Sequence, residues 1–178
     1  MSIINHTNKW VFYHLEKTGG TTIRKVLPFD EENKTHMTPV EDVGHWQGYY
    51  KFCFVRNPWD RMVSWYEYMR DPEKMDDNYE TIKEMSYLDF LRWRLPVPQQ
   101  VESIYQNGKK CVDFIGRFES LQDDFYIICM VINEEFGILP KINSTKRKPF
   151  WEYYCNESKE MMREFFKDDI ERFGYKYE

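Results

Sequence analysis

Residues 14–22, His-Leu-Glu-Lys-Thr-Gly-Gly-Thr-Thr, gather a lysine, three threonine hydroxyls and two adjacent glycines within nine positions. They follow the apolar, strand-like run Trp10-Val-Phe-Tyr13 and lead into the helix-compatible Ile23-Arg-Lys-Val-Leu27. A strand, a glycine turn and a helix start aim backbone N–H groups and the positive end of the helix dipole at one spot, which favours an anion. Lys17 adds a mobile charge, Thr18, Thr21 and Thr22 add hydroxyl donors, and Gly19 and Gly20 let the backbone approach closely. The chemistry these types support is phosphate binding. The common nucleotide loop sets its lysine after the glycines. Here Lys17 precedes Gly19 and Gly20, so an ordinary kinase or ATPase loop fails on spacing. The plain alternative is a strand-to-helix turn whose glycines only relieve crowding.

A second stretch, residues 56–66 (Arg-Asn-Pro-Trp-Asp-Arg-Met-Val-Ser-Trp-Tyr), has a related layout. Arg56 ends the apolar run 49–55, Asn57 can cap a helix and Pro58 suits its first position. Ser64 falls about two turns into that helix. An arginine fork and a serine hydroxyl suit a second phosphate. Asp60 reads as a capping carboxylate and Arg61 is open. In isolation Arg56 would read as the partner of a nearby carboxylate.

The elements that must position these residues alternate. Strands are expected at about 9–15, 49–55 and 111–115. Helices are expected at about 21–27, 58–69, 86–95, 120–136 and 159–167, the last followed by a short turn containing Asp169 and Gly174. Residues 70–80 read as an exposed acidic loop, and residues 141–154 are basic and aromatic without periodicity. This pattern predicts an α/β fold: a three-layer, P-loop-like domain with a short, largely parallel sheet flanked by helices. Ligands of such sheets bind at the carboxyl ends of strands, where Lys17 and Arg56 both fall.

At 178 residues the chain reads as a single domain, 1–178. A net charge of −5 disfavours a general binder of nucleic acid or of anionic membranes. Without a signal-length apolar start or a bilayer-length apolar run, the expectation is a soluble, cytoplasmic protein. The four cysteines, at 53, 111, 129 and 155, form no CxxC pair, so buried reduced thiols are expected rather than disulfides or a zinc site. No metal site is predicted.

With both stretches in view, the sequence resembles the sulfotransferases that use 3′-phosphoadenosine-5′-phosphosulfate (PAPS), and most of all the branch acting on carbohydrate hydroxyls. Residues 17–22, Lys-Thr-Gly-Gly-Thr-Thr, are similar to that family's 5′-phosphosulfate loop. Val55 through Tyr66 is similar to its 3′-phosphate motif. Weaker echoes follow at 114–124 and 143–154, so the resemblance spans almost the whole chain. It departs at Glu16, where the family places proline before the lysine.

The resemblance implies PAPS as sulfuryl donor and a hydroxylated acceptor, by preference a carbohydrate. It implies nucleotide binding by Lys17, Thr18, Gly19, Gly20, Thr21, Thr22, Arg56 and Ser64. Lys146 and Arg147, in the one dense basic triplet, would close over the 3′-phosphate or face an anionic acceptor; a solvated loop is the bland alternative. Sulfuryl transfer needs in-line placement, charge stabilisation and a base for the acceptor hydroxyl. Lys17 is the catalytic cation. His36, between the two phosphate motifs, is the preferred base, with His45 and Glu41 as alternatives. His14 suits the core, and His6 suits a solvated tail. Trp59, Trp65 and Phe150 suit either ring stacking or core packing. The rival functions are a nucleotide or small-molecule kinase and a non-catalytic PAP- or PAPS-binding protein.

Overall fold

A computed structural model describes residues 2–33, 37–140, 142 and 147–177. In chain order the elements are β1 (Ser2–Asn5), β2 (Trp10–Tyr13), α1 (Gly20–Val26), β3 (Glu31–Asn33), β4 (Tyr50–Val55), α2 (Pro58–Met69), α3 (Tyr79–Ile82) and α4 (Tyr87–Arg94). Then come α5 (Gln100–Ile104), β5 (Tyr105–Gln106), β6 (Lys109–Lys110), β7 (Phe114–Arg117), α6 (Leu121–Ile132), α7 (Asn156–Phe165) and α8 (Lys167–Phe173). Short 3-10 turns lie at Pro72–Lys74, Phe118–Ser120 and Phe150–Tyr153. The chain forms two compact units: residues 1–56 with 100–142, and residues 57–99 with 143–178.

The first unit holds a five-stranded sheet in the order β3-β1-β2-β4-β7. Strands β2, β4 and β7 are parallel, with Tyr13 opposite Cys53 and Phe54 opposite Gly116. This is the short parallel sheet that the sequence predicts. Two antiparallel strands, β1 and β3, extend it on one side. Neither is legible in the sequence: β1 is four residues next to the N-terminus, and β3 is Glu-Glu-Asn, poor strand formers that pair as an edge. An Arg24–Glu32 ion pair links β3 to α1. Because β1 ends at Asn5, His6 lies not in a free tail but against Tyr49, its Nδ1 3.0 Å from the phenol oxygen.

Alternate residues of β2 and β4, Trp10, Phe12, Phe52 and Phe54, form one buried face with Ile23 of α1, Leu27 at its end, and Phe125, Ile128, Cys129 and Ile132 of α6. Val11, Tyr13, Cys53 and Val55 on the other face are equally buried. Strands covered on both faces must be apolar throughout, which is why 10–13 and 52–55 carry no polar alternation. The third strand begins three residues later than expected. Asp113 instead locks to β4 through a reciprocal pair: its carboxylate accepts from the Lys51 amide and its own amide donates to the Lys51 carbonyl, both 2.7 Å. α6 stops at Ile132 because Asn133 adopts a left-handed cap (φ 55) whose N–H returns to Cys129 O.

The second unit is helical. Asn57 caps α2 by accepting the Trp59 amide at 3.0 Å, with Pro58 in the first helical position, as the sequence predicts. Ser86 caps α4. The acidic 70–80 segment contains a 3-10 turn and leads into α3 rather than forming a plain loop. The expected final helix is two, α7 and α8, divided at Phe166, and Asp169 is buried in the first turn of α8 rather than in a turn. Tyr154 anchors this unit by donating to Trp59 O (2.9 Å) while lying 2.5 Å from the Tyr87 hydroxyl. Burial holds both phenols well above their ordinary range. Among the described residues, no helix is long and apolar enough to cross a membrane.

Candidate active site

β2 ends at Tyr13 and the loop runs to Gly20, the first residue of α1. Two loop residues take left-handed backbone, Lys17 at φ 64 and Gly19 at φ 85. Glycine adopts this freely, whereas a lysine there carries strain that its surroundings must hold. Gly19 packs tightly: a Cβ on it would lie 3.0 Å from both Leu121 Cδ2 and Phe118 Cδ2. At Gly20 a Cβ would sit 1.9 Å from the His14 ring, so any side chain there displaces the imidazole. His14 is therefore a packing residue beneath the loop, also stacked on Phe12 at 6.1 Å.

The threonines divide. Thr18 is fully buried and its hydroxyl donates to Leu15 O at 2.7 Å, so it closes the loop rather than presenting a donor outward. Thr21 is half-buried. The Thr22 amide turns back to Gly19 O at 3.0 Å as the helix begins. Glu16, the departure from the family pattern, is exposed.

Arg56 follows β4 directly and is almost wholly buried. Its amide donates to Gln100 Oε1 at 2.8 Å, and Gln100 Nε2 donates to Arg56 O at 2.9 Å, so one glutamine side chain continues the sheet's hydrogen bonding past the strand end. The guanidinium reaches the loop. Nη1 donates to Lys17 O at 2.9 Å, and Cζ lies 3.9 Å from the centre of the Phe118 ring. Phe118 is the same ring that Gly19 packs against. Lys17, Gly19, Arg56 and Phe118 thus form one braced constellation at the carboxyl ends of β2, β4 and β7. The Arg56 guanidinium binds the strained loop's backbone. Gln100 and Phe118 were not singled out from sequence, and their only signals are a Gln-Gln pair after Pro98 and membership of the 114–124 echo.

In the second unit, Ser64 is half-buried on α2. Arg147 donates from Nη2 to Asp60 Oδ1 at 2.5 Å, both side chains being mostly buried. Asn57, not Asp60, is the cap of α2; Asp60 lies in its first turn, near the positive end of the helix, and receives Arg147. Arg61 is buried with its guanidinium 4.9 Å from the Trp65 ring centre. Trp59 and Trp65 are buried among aromatic and cationic neighbours and serve packing, and Phe150 lies edge-on to Tyr177 at 5.6 Å. Lys146 lies outside the described residues.

His36, the preferred base, also lies outside the described residues. The alternatives are described. Glu41 Oε2 accepts from the Thr38 amide (2.7 Å) and hydroxyl (3.0 Å), closing its own turn. His45 Nδ1 lies 2.9 Å from Oδ1 of the buried Asp42, whose Oδ2 accepts from Tyr13 at 2.5 Å. A buried carboxylate at Nδ1 fixes the imidazole tautomer and leaves Nε2 as the outward nitrogen. Burial, with the Asp42 carboxylate beside it, pushes the Tyr13 phenol far above its ordinary range. Cys53 and Cys129 are buried free thiols, Cys129 pushed up to about 11 by burial. Among the described residues, no group of three or more His, Cys, Asp or Glu side chains is arranged to hold a metal ion.

Comparison with known proteins places these observations. Residues 1–176 match the sulfotransferase family. An uncharacterized protein of Archaeoglobus fulgidus is 38% identical over 82 residues, covering 43% of this chain and 62% of that protein. The chain therefore matches less than two thirds of that relative's length. The crystal structure of mouse sulfotransferase SULT7A1 complexed with PAP superposes with a TM-score of 0.55 at 15% identity, covering 94% of this chain and 85% of that one. At that identity the superposition shows a shared fold.

Proposed function

This chain belongs to the sulfotransferase family, and from that premise we propose that it moves a sulfuryl group from PAPS to an acceptor hydroxyl. The observation that carries the proposal is the tie between the two phosphate motifs: the Arg56 guanidinium on the Lys17 carbonyl. The residues present fit the donor. Lys17 is held in left-handed backbone beside the glycine turn, and a fixed guanidinium stands at the next strand end. When bound, PAPS supplies a sulfuryl group on a phosphate leaving group; every other task falls to the chain.

In this reading Lys17 meets the charge that grows on the leaving 5′-phosphate, with loop N–H groups from Thr18 to Thr22 as further donors. The strained loop keeps the lysine pre-positioned, so little reorganisation accompanies the reaction. Arg56 holds that loop and recognises the 3′-phosphate, with Ser64 as its partner in the sequence motif. Arg147 and Lys146 supply the late basic contact. The base is His36, as the family resemblance implies. His45 is the weaker assignment: the Asp42 carboxylate fixes its tautomer, but its carbonyl accepts Lys51 Nζ at the amino end of β4, away from the Lys17 loop.

The acceptor is a hydroxyl-bearing molecule, and a carbohydrate is the reading we favour from the motif resemblance. We take the two units as parts of one domain, because the family match runs unbroken through 1–176. A cytoplasmic setting agrees with the free thiols at Cys53, Cys111, Cys129 and Cys155.

Lys17→Ala tests the proposal. Loss of one donor to a developing oxyanion typically costs about 10²–10³ in rate. Turnover of PAPS over a panel of hydroxylated acceptors should fall by that factor while PAP affinity, read by calorimetry, changes far less. Near-normal turnover in a folded Lys17→Ala protein would remove the assignment. Tighter binding of ATP than of PAP by the wild type would favour a kinase.

A further inference from the structure

A groove lies at the opposite end of the same sheet from the Lys17 loop. It is open, has a volume of about 570 Å³ and sits where β4 and β7 begin, lined by Trp46, Tyr49, Lys51, Lys109, Lys110 and Asp113 among others. That volume suits a ligand of one or two rings. Lys51 and Arg56 are five residues apart on one strand, about 17 Å at strand rise, so this cavity and the Lys17 loop are separate places.

Both walls are built. One is the hairpin of β5 and β6, turned by Asn107 (φ 50) and Gly108 (φ 75) and tied at its base by the Cys111 amide on Ile104 O at 2.9 Å. The other is the segment 43–49, in which Gly44 (φ 96), Trp46 (φ 51) and Gly48 (φ 79) are all left-handed. Left-handed backbone at a tryptophan is a true outlier. Such strain persists where the surroundings fix it, and it clusters at ligand clamps. His6 and Tyr49 fix it here, their rings 5.6 and 5.4 Å from Trp46. The floor is the reciprocal Lys51–Asp113 pair, and Lys51 Nζ donates to His45 O at 3.0 Å while Lys110 Nζ donates to Asp113 O at 2.8 Å.

The lining chemistry is specific. The lining carries three lysines and one carboxylate; that carboxylate already accepts the Lys51 amide, and the Lys51 and Lys110 ammoniums donate to backbone carbonyls. The local balance is cationic in a chain of net charge −5. Two aromatic side chains offer faces for a ring, and the amides of Gln106 and Asn107 offer paired donors and acceptors for hydroxyls. A phosphate alone would not need the aromatics, and an apolar ligand would leave the lysines and amides unmatched. We propose that this groove is a second ligand site, for an acidic saccharide whose ring lies against Trp46 and Tyr49 and whose carboxylate or sulfate meets Lys109 and Lys110. It stands independently of the sulfuryl-transfer reading.

Calorimetric titration of the full chain with cellobiose, cellobiuronic acid, cellobiose sulfate and inorganic sulfate tests it, without any nucleotide. Either acidic disaccharide should bind at least about tenfold more tightly than cellobiose, one charge-assisted contact being worth about that factor. Preference between the two acids identifies the anionic group. Lys109→Gln combined with Lys110→Gln should remove the difference between acidic and neutral sugars. Trp46→Asn, which tolerates the left-handed backbone, should weaken all three sugars. Lys17→Ala should change none of these affinities. The proposal falls if cellobiose binds as well as the acids, if inorganic sulfate binds as tightly as the sugars, or if no sugar binds by about 10 mM. It falls equally if Lys17→Ala abolishes binding that the groove variants leave intact.

Discussion

The two ends of the first unit's sheet use the same materials differently. At the carboxyl ends of the strands the backbone strain sits at Lys17, and the holding group is a buried arginine whose guanidinium meets the loop's own carbonyl and Phe118. At the amino ends the strain sits at Trp46, held by ring contacts, and the cations stand exposed on a two-residue hairpin. Buried, hydrogen-bonded charge is costly to disturb, whereas exposed lysines contribute little until a ligand desolvates them. The first end is fixed before any ligand arrives and suits chemistry. The second has a rigid frame with adaptable charges and suits recognition.

Lys17→Ala, with its expected loss of about 10²–10³ in turnover, tests the chemical end most strongly. Arg56→Ala comes next. Because the guanidinium holds Lys17 O, its loss should weaken PAP and also adenosine-5′-phosphosulfate, which lacks the 3′-phosphate, each by about 10–100-fold, the worth of a charged hydrogen bond. Ser64→Ala should weaken PAP alone, since the sequence motif assigns it only to the 3′-phosphate. If Arg56→Ala spares adenosine-5′-phosphosulfate, the arginine reads the 3′-phosphate without supporting the loop, and the contrast between a braced end and an adaptable end weakens.

Much of the chemical end was legible in the sequence because its residues are contiguous. Lys17 through Thr22 and Arg56 through Ser64 are each short contiguous runs, and Asn57 and Pro58 announce a helix start locally. What was not legible comes from pairings across long separations. Gln100 reaches Arg56 over 44 positions, and Phe118 reaches Gly19 from the end of another strand. The edge strand 31–33 has no strand-forming composition at all. The recognition end was missed for a different reason. Asn107-Gly108 is a strong hairpin signal, but its strands are two residues long, too short for alternation to register. Left-handed Trp46 breaks the propensity rules that sequence reading relies on, and breaks of that kind gather at sites held by their surroundings.

Gly20→Ala measures how tightly the chemical end is packed. The added Cβ lies 1.9 Å from the His14 ring, so the imidazole must move inside a filled space. Overpacking of this kind costs about 1–3 kcal/mol, read as a lower denaturation midpoint in urea. Pairing it with His14→Ala should recover much of the loss, because the two sites share one volume. No recovery would place the clash on the backbone instead. Gly44→Ala, with open space around its Cβ, should cost less, through its positive φ alone.

The smallest expected change is the most diagnostic of why strain is kept. Lys17→Gly removes a left-handed non-glycine residue, which relieves about 1–2 kcal/mol. Glycine also loosens the unfolded chain, which takes back about 0.5–1 kcal/mol. The balance is a folded state unchanged or stabilised by no more than about 1.5 kcal/mol, read by urea denaturation, in a protein whose turnover has collapsed. Trp46→Gly removes comparable strain but also two ring contacts, each worth about 0.5–1.5 kcal/mol, so it should come out destabilised. A loss of more than about 1 kcal/mol in Lys17→Gly would mean that the lysine side chain props the loop, as the aromatic rings prop Trp46. The two ends would then differ in position only, whereas a neutral or positive value marks Lys17 as a residue that the fold tolerates and the chemistry requires.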